Sequence, residues 1–208
     1  STMSEQSSRF NRLKVGDIVL TCYLFTMFKR IYFLFVLLFF TVSLNGGEIE
    51  GARPEPSRTY ANEEFKLVMK PPIGNYDFYS RAVFFHFPGA LCEYSNNNTG
   101  VTYTLFALRT IRSASYIGEY LRFHITGRAS QVEVIEDGVW MLKRNALTLQ
   151  QLYQFFIKNR LFFMTVFIMQ HKQDEERKAA LLVACPFERF KWIKEHAYQA
   201  YLEFNFTD

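Results

Sequence analysis

The run Tyr103-Thr104-Leu105-Phe106-Ala107-Leu108-Arg109 constrains this chain most, because a nearly continuous apolar stretch ends on a guanidinium. At the two-residue period of a strand, Tyr103, Leu105, Ala107 and Arg109 share one face, and Thr104, Phe106 and Leu108 share the other. The run therefore predicts a buried β-strand, and Arg109 leaves it among apolar neighbours. A charge in such a place is costly unless paired. Its partner is either an internal carboxylate or an anion brought by a ligand, onto which a planar guanidinium can fork. The residues that follow favour the ligand. Thr110, Arg112, Ser113 and Ser115 add hydroxyls and a second cation, and no carboxylate occurs until Glu119. That is a phosphate-binding composition.

With 208 residues, 49% hydrophobic and 18% aromatic, the chain has apolar material for one core of ordinary domain size. A formal charge of +4, with no basic stripe interleaved with aromatics, gives no nucleic-acid reading. Cys22, Cys92 and Cys185 have no metal-ligand spacing and form no C-x-x-C, so neither a metal site nor a redox pair is expected. A Cys92–Cys185 disulfide would require an oxidising compartment. His86, His124, His171 and His196 are scattered, and Glu133, Glu136 and Asp137 crowd at a predicted hairpin where solvated acids are the simpler reading. Without a nucleophile beside a base, or a carboxylate pair, neither enzymatic activity nor a cofactor is expected.

Taken in order, residues 1–45 form a basic and apolar N-terminal segment. Two apolar runs, Ile18–Phe28 and Ile31–Leu44, are split by Lys29-Arg30. The second suits a secretory h-region, and the two joined would suit a signal anchor, so residues 18–44 offer a route to membrane association. Residues 46–60 read as a linker through Gly46-Gly47, Pro54 and Pro56. Phe65–Met69 is a short strand candidate and Leu91–Tyr94 a short helix candidate. Ser95–Gly100 is a strong turn signal. Tyr120–Ile125, Gln131–Ile135 and Val139–Leu142 predict further strands, with Asp137-Gly138 as a hairpin turn. Thr148-Leu149-Gln150-Gln151 then has capping-box spacing, and Leu149, Leu152, Tyr153 and Phe156 fall on one helical stripe to about Arg160. His171–Lys178 reads as a solvated charge run, Ala179–Ala184 as a closing strand, and Phe190 onward as an amphipathic helix through Ile193, Ala197, Ala200/Tyr201 and Phe204. The expected class is α+β, a central antiparallel sheet flanked by helices.

Phe106-Ala107-Leu108-Arg109 resembles the F-L-V-R signature of Src-homology-2 (SH2) domains, and Leu147–Phe156 is similar to the second helix of that family. Pro186, Arg189, Trp192 and His196 are similar in spacing to the segment that joins SH2 and kinase domains in Fer-like non-receptor tyrosine kinases. The resemblance implies an SH2-like domain at 61–165 and a linker-like extension at 166–208. It also implies a cytoplasmic signalling module that binds tyrosine-phosphorylated peptides, with Arg109 on the phosphate and Thr110, Arg112, Ser113 and Ser115 supplying further donors. The family's helix-borne arginine falls at Gly89 here, and its fourth-strand histidine has no counterpart. No H-R-D or D-F-G motif is present, so kinase activity is not expected of this chain. The competing reading is a secreted or membrane-anchored glycoprotein with a structural Arg109, carried by the h-region and the sequons Asn97-Asn98-Thr99 and Asn205-Phe206-Thr207.

Overall fold

The run Ala179–Cys185 is apolar at every position, so as a strand it must be covered on both faces. In the structure, a computed structural model that describes residues 53–208, it forms β9 (Arg177–Pro186), and every residue of β9 is buried. Antiparallel neighbours hold it on both sides: β5 (Val101–Arg109) and β8 (Arg160–His171), with Leu181 opposite both Leu105 and Phe167. The sheet extends beyond β5 through β4 (Ala90–Asn96) to β3 (Asp77–Tyr79), and beyond β8 through β7 (Ala146–Ile157) to β6 (Ser130–Lys143). The seven-stranded order is β3-β4-β5-β9-β8-β7-β6. A second sheet of order β1-β2-β10 joins β1 (Tyr60–Asn62), β2 (Leu67–Met69) and β10 (Phe204–Phe206).

Helices cover the two faces of the large sheet. On one face, α1 (Ala114–Thr126) sets Ala114, Ile117, Leu121 and Ile125 against Phe106, Tyr153, Val166 and Leu182, and Phe85 and Phe87 complete that core. On the other, α2 (Phe190–Glu203) and the small sheet pack Ile193, Ala197, Tyr201 and Phe204 against Tyr103, Phe167, Leu181 and Val183. The first is the α1 face of the sheet and the second its α2 face. Phe167 and Tyr201 stack at 4.6 Å and 12°, which fixes α2 on β8. Gly118 brings α1 down onto β7, where a Cβ would lie 2.4 Å from the Gln151 Oε1. Tyr153 donates there to that oxygen at 2.7 Å and to the Gly118 carbonyl at 3.3 Å.

Three elements differ from the sequence expectation, each for a physical reason. The helix expected from Thr148 to about Arg160 is instead β7 and the start of β8. Leu149, Tyr153 and Phe155 turn to the α1 face while Thr148 meets Tyr201 on the α2 face. A strand buried on both sides carries apolar residues at both parities, and such a run contains a helical subset by accident. The turn after it, Lys158-Asn159, has positive φ at both residues (49° and 63°), the requirement of a type I′ hairpin. Tyr120–Ile125, expected as a strand, is the second half of α1, whose N-cap is Ser113 accepting from the Tyr116 amide at 3.2 Å. Leu91–Tyr94, expected as a helix, lies in β4.

Asp137-Gly138 does not close a hairpin. It lies inside β6 at a register shift against β7, with Gly138 at φ 77°, and the β6–β7 turn is Arg144-Asn145. The fold is therefore strand-dominated, with helices at 114–126 and 190–203, and not the SH2-like arrangement with its helix near 148–160. Residues 166–208 contribute half of β8, all of β9, α2 and β10 to the same unit as β5. The N-terminal apolar segment 1–45, with residues 18–44, lies outside the described residues. Among the described residues no helix is long and apolar enough to cross a membrane.

Phe167→Ala should lower unfolding free energy by about 3–5 kcal/mol, since it removes a buried ring from the sheet–helix contact. Leu142→Ala, at a side chain 80% exposed, should change it by less than about 0.5 kcal/mol. Urea unfolding followed by tryptophan fluorescence compares them, and equal effects would mean that the α2 face is not a core.

Candidate functional site

Outward from β9 the cover thins, and over the last part of β6 it leaves large apolar side chains open. β6 is the last strand of the large sheet, so alternate backbone N–H and C=O groups along its outer side have no strand partner among the described residues. Its first part is irregular, with register shifts between Ser130 and Glu133, Val134 and Glu136, and Glu136 and Val139. Its last part is regular: Val139, Trp140, Met141, Leu142 and Lys143 oppose Gln150, Leu149, Thr148, Leu147 and Ala146 in unbroken register.

That regular part is apolar and open. Val139 is 60% exposed, Trp140 51% and Leu142 80%, with Ile135 at 46% just before them. By register Val139 and Met141 point to the α2 face, and Trp140 and Leu142 to the α1 face. Large apolar side chains on both sides of one edge, along a free hydrogen-bonding ladder, are the features proteins usually avoid there. Lys143 fixes this segment in place. Its Nζ donates to the carbonyls of Tyr201, Leu202 and Phe204 at 2.5, 3.1 and 2.7 Å, which caps the C-terminal end of α2, and lies 4.3 Å from the Tyr201 ring. Burial lowers its pKa to about 8. Beside the edge, between α2 and strands β7 and β8, runs a groove of about 530 Å³ lined by Gln150, Thr165, Phe167, Lys194, Glu195 and Tyr198.

The residues expected to bind phosphate lie together at the surface junction of β5 and α1, where most of them are engaged by local partners. Arg109 is half-exposed and pairs with Asp174 at 3.3 Å, the internal carboxylate alternative. The Thr110 hydroxyl accepts from the Arg112 amide at 3.1 Å, Ser113 caps α1, Arg112 lies over the Tyr116 ring at 5.3 Å, and Ser115 is exposed on the first turn of α1. The deeply buried guanidinium is Arg177, which the sequence placed in a solvated run. It pairs with Asp208 at 2.9 Å, and Asp208 also meets Lys66 at 3.3 Å and His171 at 3.5 Å. The Arg177 hydrogen bond holds the Asp208 carboxyl down to about 2. Lys178, also buried, donates to the carbonyls of Thr110 and Glu175.

Glu93 is buried on β4, with no cation paired to it among the described residues. It accepts from the Val83 and Phe84 amides at 3.1 and 2.8 Å and from the Thr104 hydroxyl at 3.3 Å, and so ties down the segment that carries Phe85 and Phe87. Burial raises its pKa to about 6, with these donors opposing the rise. Cys92 and Cys185 are free and buried, and burial raises both thiols, Cys185 to about 12. Among the described residues no group of His, Cys, Asp and Glu could hold a metal ion. The sequence marks Val139–Leu142 as a strand but not as an open edge. The available signal was apolar residues at consecutive positions beside acids and a glycine.

No protein-family model matches the chain, and no curated protein matches it. Solved structures that it is similar to include a point mutant of the protein Mog1, at 10% identity and TM-score 0.45, covering 75% of this chain and 97% of that one. Another is the Saccharomyces cerevisiae Ran-binding protein Mog1p, at 11% identity and TM-score 0.42, covering 76% and 97%. Neither score carries an inference about this chain's function. The strand β7 in place of the expected helix, within a seven-stranded antiparallel sheet, overturns the SH2 assignment. The phosphotyrosine function, the tyrosine-phosphorylated partner and the kinase kinship fall with it.

Glu93 sets a pH dependence. Its folded pKa lies above the unfolded value of 4.5, so the stability it contributes is fully present below pH 4.5 and is lost as pH rises through about 6. A shift of this size corresponds to about 2 kcal/mol. Between pH 4.5 and 7 the wild type should lose that amount relative to Glu93→Gln, measured by urea unfolding at both pH values; parallel behaviour would mean that Glu93 is solvated.

Proposed function

We propose that the chain is a protein-binding module without enzymatic activity, and that it captures an extended segment of its partner as an added strand on the outer edge of β6. The observation that carries this is the exposed apolar series Val139, Trp140 and Leu142 on an unpaired, regular stretch of edge strand. Main-chain hydrogen bonds to such an edge supply affinity, and side chains on alternate faces supply selectivity. Trp140 is the expected anchor, because a partly exposed indole offers a large apolar surface that loses little freedom on binding.

The absence of catalysis is supported by what the shifted groups do. Glu93 is held by backbone amides, Lys143 by helix carbonyls and Asp208 by Arg177, so each is engaged in holding elements together. The Mog1 neighbour named as Ran-binding supplies one analyte for the test, Ran itself, but the proposal rests on the edge.

A phage-displayed library of random extended peptides, with Ran in parallel, should yield ligands for the full chain. Binding should slow amide exchange across 139–143. Trp140→Lys combined with Leu142→Lys should weaken any such ligand at least tenfold, about 1.4 kcal/mol, with an unchanged circular dichroism spectrum. Ligands that bind the double variant as well as the wild type, or protection elsewhere than β6, would remove the edge as the binding site.

A further inference from the structure

The charges beside the edge specify what kind of segment fits it. On the α2 face, β6 places Glu133 and Glu136 ahead of Val139, as their pairing with Gln154, Leu152 and Gln150 shows. Glu133 accepts from Gln154 Nε2 at 2.6 Å, while Glu136 has no hydrogen bond or ion pair among the described residues. Glu195 lines the neighbouring groove, where Lys194 is the one cation. The nearby Lys143 is already committed to the end of α2. An apolar stretch is thus bordered on one side by carboxylates, although the chain as a whole carries a formal charge of +4.

We infer that the occupant of the β6 edge is a cationic β-segment: an apolar centre lying against Val139–Leu142, with lysine or arginine on the side that faces Glu136 and Glu133. This deepens the strand-addition reading and rests on it. Cross-strand neighbours of opposite charge stabilise a pair, and like charges oppose it. An acidic segment would bring its carboxylates against Glu136 and Glu133, with no nearby free cation on β6 to offset them. The edge therefore selects by repulsion as well as by attraction.

The probe is a short peptide of alternating valine and threonine flanked by lysines, compared with a glutamate-flanked version and with the lysine version N-methylated on alternate backbone nitrogens. Fluorescence polarisation against the full chain reads all three. The lysine peptide should bind about fivefold more tightly than the glutamate peptide at low salt, and the ratio should fall towards unity as salt is raised. Glu136→Gln should reduce the ratio, and Glu133→Lys with Glu136→Lys should invert it. Equal binding of the two flanked peptides, both weakened by N-methylation, would overturn the charge assignment and leave strand addition standing. Binding indifferent to N-methylation, or no binding by any peptide, would overturn strand addition and this inference together.

Discussion

Burial of β9 on both faces is the constraint from which the rest of the structure follows. A strand apolar at every position from Ala179 to Cys185 cannot leave either face to water, and its backbone groups must pair on both sides. β5 and β8 satisfy the backbone, and two separate layers satisfy the faces. α1 with Phe85 and Phe87 covers one, and α2 with the small sheet covers the other. Neither helix is apolar enough to be buried by itself. Each presents a stripe to the sheet and keeps its other side wet.

Charges at the margins of this core hold the elements that the core alone does not fix. Arg177 begins β9 and binds Asp208 just beyond β10, so the outer sheet is tied to the central strand by an ion pair with a buried guanidinium. Truncating one member of such a pair leaves the other uncompensated, which makes it costly to break even where its net contribution is modest. Glu93 does the same for the Val83–Phe87 segment without a cation, using backbone amides, and its raised pKa records the burial. Lys143 ties the end of β6 to the end of α2. Each of these groups has an unusual environment because it joins two elements.

The same construction explains why β6 is left open. Cover is greatest over β9 and declines towards β6, where the last residues run in regular register with apolar side chains exposed on both faces. The register shifts earlier in β6, with Gly138 among them, disturb the first part of the edge and leave Val139–Lys143 as the stretch fit to pair. Carboxylates lie beside that stretch on the disturbed part. An edge that is half irregular and half open, with acids at the junction, offers a defined length and a defined sign of charge to a partner strand.

The sequence by itself determined the elements whose signal is local. β5 followed from its apolar run, the turn before it from Ser95–Gly100, whose first two residues belong to β4, and α2 from the spacing of Ile193, Ala197, Ala200 and Tyr201. Tertiary structure decided β7, α1 and the state of the charges. Leu149–Phe156 satisfies both periods, and only the presence of layers on both faces selects the strand. Tyr120–Ile125 alternates like a strand, but Ser113 caps a helix that Gly118 allows to approach β7, and the docked face then decides. Arg109 and Arg177 look alike as cations at the ends of apolar runs. Which one is buried depends on Asp208, distant in sequence and brought against Arg177 by the pairing of β10 with β2. The open edge was decided last, since a strand becomes an edge only by its position in the sheet order, which no local pattern encodes.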